Sequence, residues 1–367
     1  MPLTAGIVGL PNVGKSTLFN AITQAGALAA NFPFATIEPN VGVVLVPDQR
    51  LDVLTRIFDP KSTVPTTFEF TDIAGLVKGA SQGEGLGNQF LSHIRQVDAI
   101  IHVVRCFEDT NVIHVDGEVN PIRDIETIDL ELVFADLDVI EKRLPKIEKK
   151  AQLKVDTLMI DEYHLLKRVQ NTLLDNQPIR SLTLTEKESK IIKSYGFLTL
   201  KPTLYVCNIS EEDLINQTIN SHVQAVYDLA LKQQSNAIMI SAKIEAELSE
   251  LDKEDKALYL EELGLEKTGL DHLIAKSYEL LGLQTFFTAG KKEVRAWTFY
   301  KNMKAPQCAG VIHSDFERGF IRAETISYED LLLYESMNKA KEAGKVRSEG
   351  KEYIVHDGDI ILFRFNV

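Results

Sequence analysis

Three observations on the 367-residue sequence predict an α/β fold with an inserted helical arm and a C-terminal α+β domain. In the first third, short apolar runs alternate with Gly-rich turns and helical stretches, which implies a parallel-rich sheet covered on both faces. Between residues 128 and 200 a regular apolar seam replaces that rhythm. After residue 281 short β-rich runs take over.

The predicted sheet strands are Ala5 to Leu10, Thr66 to Asp72, Ala99 to Val104, Leu204 to Cys207 and Ala237 to Ser241. Ala99 to Val104 is continuously apolar, as a strand buried on both faces requires. In the arm, Leu130, Val133, Leu137, Ile140, Leu144, Ile147 and Ala151 are spaced 3-4-3-4-3-4. A second stretch carries Leu166, Val169 and Leu173, so two antiparallel helices can bury these rows against each other. Plain amphipathic helices packed on the sheet are the alternative. Pro145 is expected to kink the first helix. Thr185 and Glu188 have the spacing of a capping box that opens a third helix. At the C-terminus, Val294 to Phe299, Gly319 to Ile326, Tyr353 to His356 and Ile360 to Phe365 read as strands. Asp357-Gly358 between the last two is a hairpin signal.

Composition narrows the function. Forty Lys+Arg against 53 Asp+Glu give a net charge of −13, which argues against general nucleic-acid affinity and leaves RNA contact to a local basic patch. Cys106, Cys207 and Cys308 are far apart with no C-x-x-C, so reduced thiols in a cytosolic protein are expected rather than a zinc site. No apolar run approaches the about 18 residues that span a bilayer. The N-terminus lacks the pattern of a secretory signal.

Gly9-Leu10-Pro11-Asn12-Val13-Gly14-Lys15-Ser16 fits G-x-x-x-x-G-K-[ST] between a predicted strand and a helix from Lys15 to Ala25. Its glycines let backbone N–H groups, Asn12 to Thr17 among them, curl around phosphate oxygens at a helix N-terminus. Lys15 is expected to reach the β- and γ-phosphates and Ser16 to bind Mg²⁺. Asp72-Ile73-Ala74-Gly75 ends a strand in the manner of the D-x-x-G of regulatory GTPases. Asp72 then supports Mg²⁺ and the Gly75 N–H meets the γ-phosphate. A Gly-rich stretch through Gly79, Gly83, Gly85 and Gly87 has the look of a switch. Thr36 is the candidate second Mg²⁺ ligand that closes on a γ-phosphate. Leu76 stands where a water-orienting Gln is found in Ras-like proteins.

GTPases read guanine with N-K-x-D at a strand end. Here Asn208-Ile209-Ser210-Glu211 occupies that place, with Ile for Lys and the longer Glu for Asp. The change removes the guanine preference and admits ATP. Ser210 also suits a helix N-cap with Asp213 as its partner. Ser241-Ala242-Lys243 matches the S-A-K that closes over a base. These motifs assign residues 1–127 and 201–280 to a P-loop nucleotide-binding domain, 128–200 to the helical arm, and 281–367 to a separate C-terminal domain.

At these motifs, and across essentially the whole chain, the sequence resembles the YchF family, the Obg-like ATPases within the Obg branch of translation-factor GTPases. The segment ending Asp357-Gly358-Asp359-Ile360-Ile361-Leu362-Phe363-Arg364-Phe365-Asn366-Val367 resembles a TGS domain, a ubiquitin-like module. The resemblance implies a cytoplasmic Mg²⁺-dependent ATPase that prefers ATP to GTP and works as a ribosome-associated switch. It also implies a class in which a hydrophobic residue, here Leu76, replaces the catalytic Gln. The family carries a functional histidine at the position of His114, which makes His114 the candidate to orient water; a solvated loop histidine is the alternative. Asn12 is a candidate for K⁺ binding, or simply stabilises its loop. Two other functions stay open: a GTP-specific switch, and an RNA-binding adaptor whose nucleotide site is structural. The expected partner is the ribosome, at its large subunit and rRNA, through the arm or the TGS-like domain, with no membrane and no DNA. Lys142, Arg143, Lys146, Lys149, Lys150 and Lys154 against a single Glu148 form the basic stretch of the arm. A solvated charged face is the alternative.

Overall fold

The computed structural model describes residues 3–26, 40–73, 86–110, 112, 114, 117–153 and 157–366. The chain forms two compact units, one containing 69–273 with the N-terminal residues to 26 and 40–43, the other 44–68 and 274–366.

The strands are β1 (Thr4–Val8), β2 (Val41–Leu45), β3 (Ser62–Val64), β4 (Thr67–Asp72), β5 (Ala99–Arg105), β6 (Thr203–Asn208), β7 (Asn236–Ile240), β8 (Leu283–Ala289), β9 (Glu293–Tyr300), β10 (Phe320–Ile326), β11 (Arg347–Glu349) and β12 (Ile360–Phe365). The first helices are α1 (Lys15–Gly26), α2 (Gln49–Phe58), α3 (Leu86–Gln96), α4 (Pro121–Gln152), α5 (Thr157–Leu174), α6 (Glu186–Lys193) and α7 (Glu211–Ile215). They are followed by α8 (Ser221–Lys232), α9 (Ala242–Glu250), α10 (Lys253–Glu262), α11 (Gly269–Leu280), α12 (Ala305–Ile312), α13 (Ser314–Arg318), α14 (Tyr328–Tyr334) and α15 (Met337–Glu342).

The first sheet runs β2-β4-β1-β5-β6-β7, and β1 pairs in parallel with both β4 and β5. β5–β6 and β6–β7 are parallel as well. All seven residues of β5 are buried, His102 and Arg105 included with its five apolar ones, as in a strand covered on both faces. This topology brings the C-terminal ends of β1, β4, β5, β6 and β7 to one edge, where ligands bind in open α/β sheets.

The arm is built on the predicted seam. Val133, Ile140, Leu144 and Ile147 of α4 are buried with Leu165, Leu166, Val169 and Leu173 of α5 in one cluster that Leu137 borders. Leu130 departs from the expectation and is exposed. α4 starts at Pro121, well before the expected boundary at 128, and runs on through Pro145. Thr185 and Glu188 form the predicted capping box on α6. Buried Asp136 of α4 accepts from the Leu198 and Thr199 backbone N–H groups at 2.9 and 2.8 Å. That ties the end of the inserted segment to α4 just before β6 begins.

The second sheet runs β11-β10-β12-β8-β9-β3. Two features correct the sequence reading. Residues 44–68 were assigned to the nucleotide domain, yet β3 pairs in parallel with β9, and Leu51 and Leu54 of α2 are buried with Phe287, Val294 and Ile360. The amphipathic α2 finds its apolar partner in strands more than 200 residues away, which local pattern cannot reveal. The hairpin at Asp357-Gly358 is also absent, since β12 pairs with β10 and β8, and 353–356 makes only an isolated bridge between Lys304 and Ile354. Instead the Asp357 carboxylate accepts from the Thr285 backbone N–H at 2.8 Å and pairs with Arg50 at 2.7 Å.

Candidate functional site

The loop after β1 and the first turn of α1 have the geometry of a phosphate cradle. Gly14 has φ of +93°, a left-handed conformation that favours glycine, and a Cβ there would lie 2.2 Å from the Asn208 Nδ2. Asn12 also adopts a positive φ, 64°, which Asn tolerates better than most residues. Val13 is buried and anchors the loop, while Ser16 and Thr17 are exposed at the helix start. The parallel register sets Asp72 of β4 opposite Ile7 of β1, and the Lys15 ammonium donates to the Asp72 carboxylate. The cation meant for phosphate and the carboxylate meant for the metal thus share one spot. Ser16 and Asp72 supply hard oxygen donors of the kind Mg²⁺ takes. No cluster of three or more His, Cys, Asp or Glu able to hold a metal occurs among the described residues.

Asn208 at the end of β6 joins two loops. Its Nδ2 donates to the Val13 carbonyl at 2.9 Å, and its Oδ1 accepts from the Ala242 N–H at 2.9 Å. Asn208 therefore sets the separation between the phosphate loop and the S-A-K turn. Ile209 is buried in the core beside β6, where an N-K-x-D motif would present a lysine. Ser210 caps α7, accepting from Asp213 N at 3.1 Å. Glu211 pairs with Lys243 at 2.9 Å, so its carboxylate already has a cation.

These groups line a cleft of about 530 Å³ that runs from Asn12, Gly14 and Thr17 to Asn208, Ile209, Glu211, Ser241 and Ala242. Ser241 is buried and its Oγ has no hydrogen-bond partner among the described residues. A buried hydroxyl left open beside a cleft suits a polar ligand. A further wall segment comes from Phe107, Glu108, Asp109 and Val112 after β5. Sequence reasoning missed this wall, because no motif marks it; the one available signal was an aromatic residue just past a buried strand.

His114 is buried rather than solvated, and its Nε2 lies 2.9 Å from the Asp124 carboxylate in the first turn of α4. It lines a neighbouring cavity with Arg105, Glu108 and Asp109. Thr36, Gly75 and Leu76 lie outside the described residues. The three cysteines are buried free thiols.

Comparison with known proteins places the chain in a family. Residues 4–136 match a family model described as 50S ribosome-binding GTPase, and residues 283–366 match the YchF-GTPase_C model. The chain is 60% identical to the ribosome-binding ATPase YchF of Bacillus subtilis, and 54% identical to that of Escherichia coli O157:H7, over the full length of each pair. The solved structure of the Schizosaccharomyces pombe YchF GTPase superposes with a TM-score of 0.89 at 42% identity, covering 99% of this chain and 97% of that one. With full-length identity at this level and a phosphate loop, a D-x-x-G aspartate and an altered base motif on one sheet edge, the chain belongs to the YchF family.

Proposed function

We propose that this chain is a Mg²⁺-dependent ATPase that acts as a nucleotide switch on the ribosome, in the cytoplasm. The observation that carries the choice of base is the state of the altered N-K-x-D. Ile209 is withdrawn into the core and Glu211 is held by Lys243, so neither presents the guanine-reading pair of a GTPase. The Lys15–Asp72 contact and the exposed Ser16, beside the phosphate loop, support phosphate and metal binding. Ser16 and Asp72 would hold Mg²⁺, which would supply charge neutralisation for a transferring phosphoryl group. Lys15 binds phosphate oxygens, the loop N–H groups orient them, and the Gly75 N–H meets the γ-phosphate. Thr36 would be a second ligand for that ion.

Leu76 has no hydrogen-bonding group to orient water, so His114 takes that role once its ring leaves Asp124. His114→Ala then lowers turnover and leaves ATP affinity unchanged. Asn12 supports K⁺, which supplies positive charge in the transition state; exchanging K⁺ for Na⁺ at constant ionic strength then slows hydrolysis. Association with the large subunit and its rRNA runs through the basic face of α4, with the TGS-like domain as the second surface.

Calorimetric titration of ATP and GTP with Mg²⁺ tests the reading. ATP is expected to bind more tightly, and Ile209→Lys with Glu211→Asp to move the preference toward GTP. A wild-type preference for GTP of about tenfold, or about 1.4 kcal/mol, contradicts it.

A further inference from the structure

β5 ends on Arg105, which is 1% exposed. Three donors of its guanidinium are spent on backbone carbonyls of the segment that follows. Nε donates to the Phe107 carbonyl at 3.0 Å, Nη1 to that of Val112 at 2.8 Å, and Nη2 to that of Asp109 at 3.1 Å. The guanidinium carbon also lies 4.7 Å from the centroid of the Phe107 ring. A segment without regular structure has no ladder to satisfy its carbonyls, so a buried side chain that takes three of them sets its path. Only arginine offers five donors in a rigid planar fork.

The placement of this anchor matters as much as its bonds. Arg105 stands opposite Asn208 in the β5–β6 register, and the Cys106 N–H donates to the Asn208 carbonyl at 2.8 Å. Asn208 is the residue whose amide clamps the phosphate loop to the S-A-K turn. The residues that Arg105 holds, Phe107, Asp109 and Val112, line the same cleft as Asn208. One pair of neighbouring strand positions therefore holds two segments of the cleft lining.

We propose that Arg105 is a positioning residue for nucleotide binding, which holds the Phe107–Val112 wall at the base end of the cleft without touching the phosphates. The proposal rests on the reading of this cleft as a nucleotide site. Its consequence is a split between two ligands. ATP uses the whole cleft, whereas Mg²⁺-tripolyphosphate uses only the phosphate loop.

Calorimetry on the full chain measures both ligands with wild type, Arg105→Met and Arg105→Lys. The methionine variant keeps the buried bulk and removes every donor. The lysine variant keeps the charge but loses the planar fork. Both are expected to raise the Kd for ATP by about tenfold, the scale set by losing positioned contacts to one part of a ligand. Both are expected to hold the Kd for tripolyphosphate within about twofold of wild type. If the methionine variant fails to fold, the lysine variant carries the comparison. An unchanged ATP Kd in a folded variant overturns the proposal, as does an equal loss for both ligands, which marks a general structural role. Wild type that binds tripolyphosphate but not ATP overturns the nucleotide reading itself, and the proposal with it.

Discussion

At the scale of single residues, the proposed phosphate site rests most on Lys15. Its ammonium rests on Asp72, ready to exchange a carboxylate for phosphate oxygens. Lys15→Ala is expected to weaken ATP binding by about a hundredfold, as losing a charge-assisted contact worth about 3 kcal/mol requires. Unchanged affinity in calorimetry removes Lys15 from the site. A second residue sets an acid limit on the fold. His102 on β5 is buried, its Nε2 has no hydrogen-bond partner among the described residues, and burial with the nearby Arg180 charge pushes its pKa down to about 3. The folded state thus keeps His102 neutral, whereas the unfolded chain takes up a proton below about pH 6.5. Stability from this group is fully present above pH 6.5 and falls as the pH drops toward 3. At pH 5 the loss is about 2 kcal/mol. His102→Leu should flatten the decline between pH 7 and pH 5 in denaturant melts; parallel curves for the two proteins count against it. The residue scale also shows what sequence can carry. The phosphate loop is legible because its residues act through local backbone geometry. Phe107, Arg105 and the Lys243 partner of Glu211 were not, because each acquires its role only when β5, β6 and β7 align.

Among the elements, the α4–α5 arm was legible in outline, because the 3-4 spacing maps directly onto a buried row. Its basic stretch changes character in three dimensions. Arg143 is engaged with Glu162 and Tyr195 at 2.8 and 3.1 Å, so it serves the packing of the arm rather than an outside partner. Lys142, Lys146 and Lys149 are exposed and remain the outward cations, Lys142 with Asp138 beside it at 2.5 Å on the same helix. Changing those three together to Glu is expected to weaken ribosome co-sedimentation, with wild-type binding falling steeply as salt rises. ATP hydrolysis without ribosomes should not change. Equal pelleting of mutant and wild type moves the contact to the C-terminal domain. The attachment of the arm rests on Asp136, which takes the Leu198 and Thr199 N–H groups and the Thr199 hydroxyl, the last at 2.7 Å. Asp136→Ala strands these buried donors and should cost about 3 kcal/mol in chemical denaturation. A loss below about 0.5 kcal/mol shows that the anchor is dispensable. The second unit was less legible, since α2 and β3 join strands distant in sequence.

Across the whole molecule, the sheet edge, the altered base motif and the full-length relatives are those of a YchF-family ATPase, and the central claim of the proposal is that this chain hydrolyses ATP in preference to GTP and responds to ribosomes. Phosphate release from ATP and from GTP, measured side by side with and without ribosomes and with Lys15→Ala as the control, tests it most directly. The account predicts faster release from ATP than from GTP, a further increase with ribosomes, and none above background in the Lys15 variant. Faster release from GTP, or release from ATP that persists in the Lys15 variant, contradicts it.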